Sequence, residues 1–185
     1  MLPPNNRFDG KAGLVVDIVK RPAIALCPRD DQHGRLADCS QEGFGTAKDE
    51  SVQSPIRAGM RAGPLISQVH TTLEVSCHRA EKMVKHCNVM DPNNTALEAT
   101  TGYLSVKLDD RTIRAHALSP ETLETRAASA IDHFDELIDD ARTCETQHRL
   151  TMIEDAGAMA ACRVSDVARS DSSNTAYIDG GYHLV

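Results

Sequence analysis

Tryptophan is absent from this 185-residue chain, and three phenylalanines and three tyrosines make up all its aromatics, 3% of the residues. A core with so little aromatic bulk must be filled by Leu, Ile, Val and Ala, although the chain is long enough to bury one. No run approaches the ~20 apolar residues of a membrane-spanning helix. The opening MLPPNNRFDGK lacks the apolar stretch of a signal peptide. Cations are in deficit: 20 Lys and Arg against 27 Asp and Glu give a formal charge of −7. That balance disfavours nucleic acid, which needs a basic face. There is no CxxC pair; the six cysteines stand singly at 27, 39, 77, 87, 144 and 162. With no secretory context the expectation is reduced thiols in a cytoplasmic protein. Internal repeats and low-complexity tracts are absent too.

What is present is an ordinary globular balance, 41% hydrophobic and 25% charged, which suits one domain. Residues 1–9 read as a loose polar lead-in. Gly13 to Val19 reads as a short buried strand. Residues 26–43 are polar and turn-rich, a surface loop; in 44–66, Ile56, Met60 and Leu65 line a weak helix interrupted by Gly and Pro. Thr71 to Val75 predicts a strand. Ala96, Ala99, Tyr103 and Val106 recur at a period of 3.6, with Leu97, Leu104 and Leu108 beside them, which predicts a helix over 93–108. Ile113, Ala115 and Ala117 alternate with Arg114 and His116, as in a strand. Ile131, Phe134, Leu137, Ile138 and Ala141 mark another amphipathic helix. The Asp/Glu run over 132–140 is its solvated side, and the scattered histidines outside 77–87 also read as surface. Thr151-Met-Ile-Glu154 is a capping-box pattern opening a helix, and Thr175 to Ile178 is a last strand, ended by Gly180-Gly181. Alternating strands and helices predict a parallel α/β sheet.

Seven segments, in order, carry a resemblance. They are His86-Cys-Asn-Val-Met90, Ala96-Leu-Glu-Ala-Thr100, Ile113-Arg-Ala-His-Ala-Leu-Ser-Pro120, Thr125-Arg-Ala-Ala-Ser129, Ile153-Glu-Asp155, Val164-Ser-Asp166 and Tyr177-Ile-Asp-Gly-Gly-Tyr-His183. Together they resemble the NADH-dependent enoyl-acyl-carrier-protein reductases, a branch of the short-chain dehydrogenase/reductases. Gly10 to Ala25 looks like that family's first strand and phosphate loop, and Ala23 to Phe44 like the loop after its fourth strand. Both family segments hold a Ser-Ile-Ala triplet, so the two look joined with about 70 residues removed between them, roughly two βα units. The fold this implies is an incomplete Rossmann-like, doubly wound parallel sheet with flanking helices. It divides into a residual first strand and phosphate loop (1–25), a loop and helix (26–66) and a best-matched part (67–185).

The resemblance also implies site positions. Cofactor positions are Asp17, Ala23, Ile24, Leu123, Thr125 and Ala127. Asp17 stands where the family has Gly, adding bulk and negative charge where a diphosphate approaches. Ser119-Pro120-Glu121-Thr122 stands where the family has Ser-Pro-Gly-Pro, while Thr125 matches a residue that binds the nicotinamide amide. The family's proton-donating Tyr falls at Cys87, its Lys at Asn94 and a substrate-side Tyr at Cys77. A thiol cannot reach where a phenol does, and an amide cannot lower a neighbour's pKa. The implied ancestral reaction is reduction of a trans-2-enoyl thioester on acyl carrier protein by NADH, and the substitutions imply that this chain does not run it. Other readings remain: a subunit that modifies an intact paralogue, pairing through the 93–108 helix, or a decayed product without function. Cys77-His78 and His86-Cys87 offer soft donors, but their spacing matches no zinc pattern and no metal is expected.

Overall fold

The computed structural model describes residues 14–15, 36–54, 56–57, 60, 70–76, 89–108, 113–120, 123, 133–146 and 149–184. Among the described residues four parallel strands form the sheet: β1 (Leu14–Val15), β2 (His70–Val75), β3 (Ile113–Pro120) and β4 (Asn174–Ile178), in the order β1-β2-β3-β4. β1 meets β2 at Leu14↔Thr72 and Val15↔Leu73. β2 and β3 run in register from His70↔Ile113 to Val75↔Leu118, and β4 joins β3 from His116↔Asn174 to Pro120↔Ile178.

All eight residues of β3 are buried, so both faces of the strand are covered. Side chains of a strand alternate between faces. On one face Ile113 and Ala115 pack with Leu104 and Leu108 of α2 (Met90–Leu108). On the other, Leu118 packs with Leu73 and Ala176 under Met159, Ala160 and Val164 of α4 (Ile153–Val164). Each fully buried Leu stabilises the sandwich by roughly 1.5–3 kcal/mol. α3 (Phe134–Cys144) buries Phe134, Leu137 and Ile138 against Leu150 and leaves Asp135, Glu136, Asp139 and Asp140 in solvent, the polar side read from the sequence.

α2 has two apolar rows, and the sheet takes the bulkier. Leu97, Leu104 and Leu108 are buried, whereas Tyr103 is 77% and Val106 75% exposed. The Ala99–Tyr103–Val106 row that marked the helix in the sequence is therefore its outer side. Pro92 sits in the first turn, where its missing N–H costs nothing.

Three expectations are corrected. First, the predicted loop and weak helix give way to α1 (Gln41–Lys48), which starts earlier. Ser40 caps it, accepting from the Gly43 N–H at 3.0 Å, and the helix runs into a π-helical stretch, Asp49–Gln53. Met60 is exposed and Leu65 lies outside the described residues. Second, the cap of α4 lies one residue later than the Thr151–Glu154 reading: the Met152 N–H donates to Asp155 Oδ2 at 3.0 Å. Thr151 is drawn off because its N–H donates to Glu145 Oε1 at 3.2 Å. Third, His116 is not on the surface; it is fully buried on β3.

Candidate functional site

Of the predicted site residues, Asn94 stands in the first turns of α2. Glu98 of α2 meets the end of β2, accepting from Ser76 Oγ at 2.5 Å, and reaches across β3 to accept from Thr175 Oγ1 of β4 at 3.3 Å. The small side chain of Ala117, on the strand between, leaves room for this span. Asn94 lies one turn before Glu98, about 6 Å further along the helix. It therefore sits at the carboxyl edge of the sheet, where open α/β sheets bind ligands. Asn94 is 6% exposed.

Beneath this edge Thr101 hydrogen bonds Glu74 Oε2 of β2, and its Oγ1 also lies 3.1 Å from the Leu97 carbonyl oxygen. Glu74 is 1% exposed. Burial pushes its carboxyl up to about 7, with the Thr101 hydrogen bond pulling the other way.

The opposite face of β3 carries cations. Arg114 donates to the carbonyls of Ala168 and, at 3.3 Å, Ser165. Arg163 of α4 pairs with Asp171 and donates to His116 Nδ1 at 3.4 Å. That leaves the imidazole proton on Nε2, which is buried without a partner among the described residues. Burial, then Arg163 and Arg114, hold His116 down at about 4; burial also lowers Arg114, against the pull of Asp166. After β4, Asp179 accepts from the Gly181 and His183 N–H groups at 3.0 and 2.9 Å and lies 2.7 Å from His183 Nδ1. Tyr177 stacks on His183 with centroids 4.3 Å apart. Glu145 is fully buried beside this turn, its carboxyl raised chiefly by burial.

Of the sequence-predicted positions the structure describes Asn94, and Leu123, which is half-buried just beyond β3. Cys77, Cys87, Asp17, Ala23, Ile24, Thr125 and Ala127 lie outside the described residues, as do His78 and His86. Among the described residues no group of three or more His, Cys, Asp and Glu is placed to hold a metal. Nor is any helix there long and apolar enough to cross a membrane. Sequence reasoning missed Glu74, Ser76 and Glu98. Their signal was Thr72, Glu74 and Ser76 at every second place: a polar face that reads as solvated until a helix is known to cover it.

A family model described as enoyl-(acyl-carrier-protein) reductase matches residues 16–183. The chain belongs to the enoyl-acyl-carrier-protein reductase family. It is 33% identical over 163 residues to enoyl-[acyl-carrier-protein] reductase [NADH] 1 of Rhizobium meliloti, covering 88% of this chain and 60% of that one. It is 33% identical over 164 residues to the Aquifex aeolicus NADH enzyme, covering 88% and 61%. The solved Aquifex aeolicus reductase superposes with a TM-score of 0.82 over 85% of this chain and 62% of that chain. The Bacillus cereus enzyme, solved with NADP+ and an indole naphthyridinone, does so at 0.81 and 28% identity, over 84% and 61%. The chain thus spans about three fifths of the curated reductases it matches. Its fold is the Rossmann-like parallel sheet with flanking helices of that family.

The four described strands follow one another in chain order, β1-β2-β3-β4. Asn94 presents a buried amide where the resemblance expects an ammonium to hold the ribose.

Proposed function

We propose that this chain is a non-catalytic member of the enoyl-acyl-carrier-protein reductases. It keeps one wing of the family sheet and has lost the hydride-transfer chemistry of fatty-acid biosynthesis. The observation that carries this reading is Asn94, a neutral buried amide at the family's Lys position. Cys87 at the Tyr position and Asp17 at the phosphate-loop Gly position support it. A reductase of this class needs a proton donor for the enolate oxygen and a cation that lowers the donor's pKa and holds the ribose. Neither is supplied at these positions, so an NADH-dependent cycle on an enoyl thioester has no proton step. The chain acts, in this reading, in the cytoplasm as a single Rossmann-like unit. The test is NADH oxidation followed by absorbance with crotonyl thioester as substrate. We expect no rate above the enzyme-free control; turnover near that of a full-length relative would overturn the reading.

A second reading is favoured by the outer side of α2. Ala99, Gly102, Tyr103, Val106 and Lys107 line an apolar hollow there. Small residues at a helix surface admit a second helix closely. The chain then associates through α2 with another copy or with an intact paralogue, which it caps.

A further inference from the structure

One hydroxyl proton serves two acceptors only as a shared, weaker bond. Thr101 Oγ1 lies within hydrogen-bond reach of both Glu74 Oε2 and the Leu97 carbonyl oxygen, the latter at 3.1 Å, and a threonine hydroxyl carries a single proton. With Glu74 ionised, the single Thr101 proton is divided between the carboxylate and the Leu97 oxygen at 3.1 Å, and neither bond is made in full. With Glu74 protonated, the carboxyl donates to Thr101 Oγ1 and Thr101 donates on to Leu97. Every proton in this buried contact then has an acceptor.

The surroundings agree. Among the described residues no cation faces Glu74. The sheet beside it offers Ala115, Ala117 and Ser119, the π-helical stretch packed on α2 offers Ser51, and β4 offers Thr175. Across the sheet, Arg163 is turned to His116 and Asp171. Among the described residues the titratable group sharing the face is Glu98 of α2, of the same sign, which takes hydrogen bonds from Ser76 and Thr175. Burial without a cation favours the neutral acid.

We propose that Glu74 is held as a neutral carboxylic acid in the folded chain and that its proton fastens β2 to α2, so that raising the pH loosens α2 from the sheet. α2 begins at the carboxyl edge of the strands, so the seating of Asn94 there becomes dependent on pH. The device is independent of whether the chain turns over substrate.

The test compares thermal unfolding of the wild-type chain and Glu74→Gln, in which the amide donates to Thr101 as the acid does, from about pH 5 to about pH 9. The two should melt together at the acid end. At the alkaline end Glu74→Gln should melt several degrees higher, while Glu98→Gln should follow the wild type. Equal melting of wild type and Glu74→Gln across the range, or a lower melting point for Glu74→Gln at the alkaline end, overturns the proposal. Carbon-13 NMR of the Glu side-chain carboxyls, assigned through the backbone of the wild-type chain, reads the same proton directly. Titration of Glu74 at or above neutrality supports the proposal, and titration in the ordinary carboxylate range overturns it.

Discussion

Gly181 takes φ +86°, and a Cβ built on it would stand 2.6 Å from Thr146 Oγ1. That hydroxyl cannot simply rotate away, because it donates to the Gly180 carbonyl at 2.5 Å, reinforced by the Thr146 N–H at 3.1 Å. A Cβ built on Gly180, at φ +57°, would stand 3.2 Å from Oε2 and 3.4 Å from Cγ of the buried Glu145. The turn after β4 is thus pinned to the segment after α3 by two residues without side chains. Gly181→Ala should lower stability by about 1–3 kcal/mol through the left-handed backbone and the forced shift of Thr146. Urea denaturation of the variant against wild type measures this; an unchanged midpoint would mean that Thr146 moves freely. The glycine pair was legible in the sequence as a strand terminator. What it touches was not, since Thr146 and Glu145 lie more than thirty residues earlier and nothing local in Cys144-Glu-Thr-Gln announces them.

At the scale of an element, α2 shows how far periodicity reaches. Its existence and length follow from the apolar spacing, but two rows satisfy that spacing and the sequence does not say which faces in. Bulk decides: Leu97, Leu104 and Leu108 fill the space over Ile113 and Ala115, while Val106 and Tyr103 are left in solvent. The rows separate by substitution. Leu104→Ala should destabilise the fold by about 2–5 kcal/mol, because it opens a cavity against the sheet. Val106→Glu should leave unfolding of the isolated chain within about 0.5 kcal/mol of wild type. It should, however, abolish association through α2, read by sedimentation at several concentrations alone and with a paralogue. If Val106→Glu leaves every assembled species intact, the outer row of α2 is not an interface. β3 was legible in the same partial way. Alternation marked the strand, yet His116 was read with the surface histidines because the pattern could not reveal that α4 covers the second face.

The whole molecule balances buried groups that respond to pH in opposite directions. His116 is neutral in the fold, with its pKa held from 6.5 down to about 4, so the unfolded chain takes up the extra proton as pH falls through that interval. Its contribution, roughly 3 kcal/mol at one pH unit per 1.36 kcal/mol, is present above pH 6.5 and lost as pH drops toward 4. Glu74 is raised from 4.5 to about 7, so here the folded chain holds the extra proton. Glu74's contribution is fully present below 4.5 and falls by a similar amount as pH climbs to about 7, and Glu145, also raised, acts in the same direction. Between 4.5 and 6.5 the slopes largely cancel, and the wild-type chain should show a plateau, declining more acid because of His116 and more alkaline because of Glu74. His116→Gln removes one side of the balance, and its stability should rise steadily as pH is lowered from neutrality to about 4.5. Urea midpoints taken across that range decide it. A His116→Gln profile parallel to wild type would mean that the imidazole is not held neutral between Arg163 and Arg114. None of this balance could be read from a formal charge of −7, which counts ionisable side chains without regard to which of them the two faces of β3 enclose.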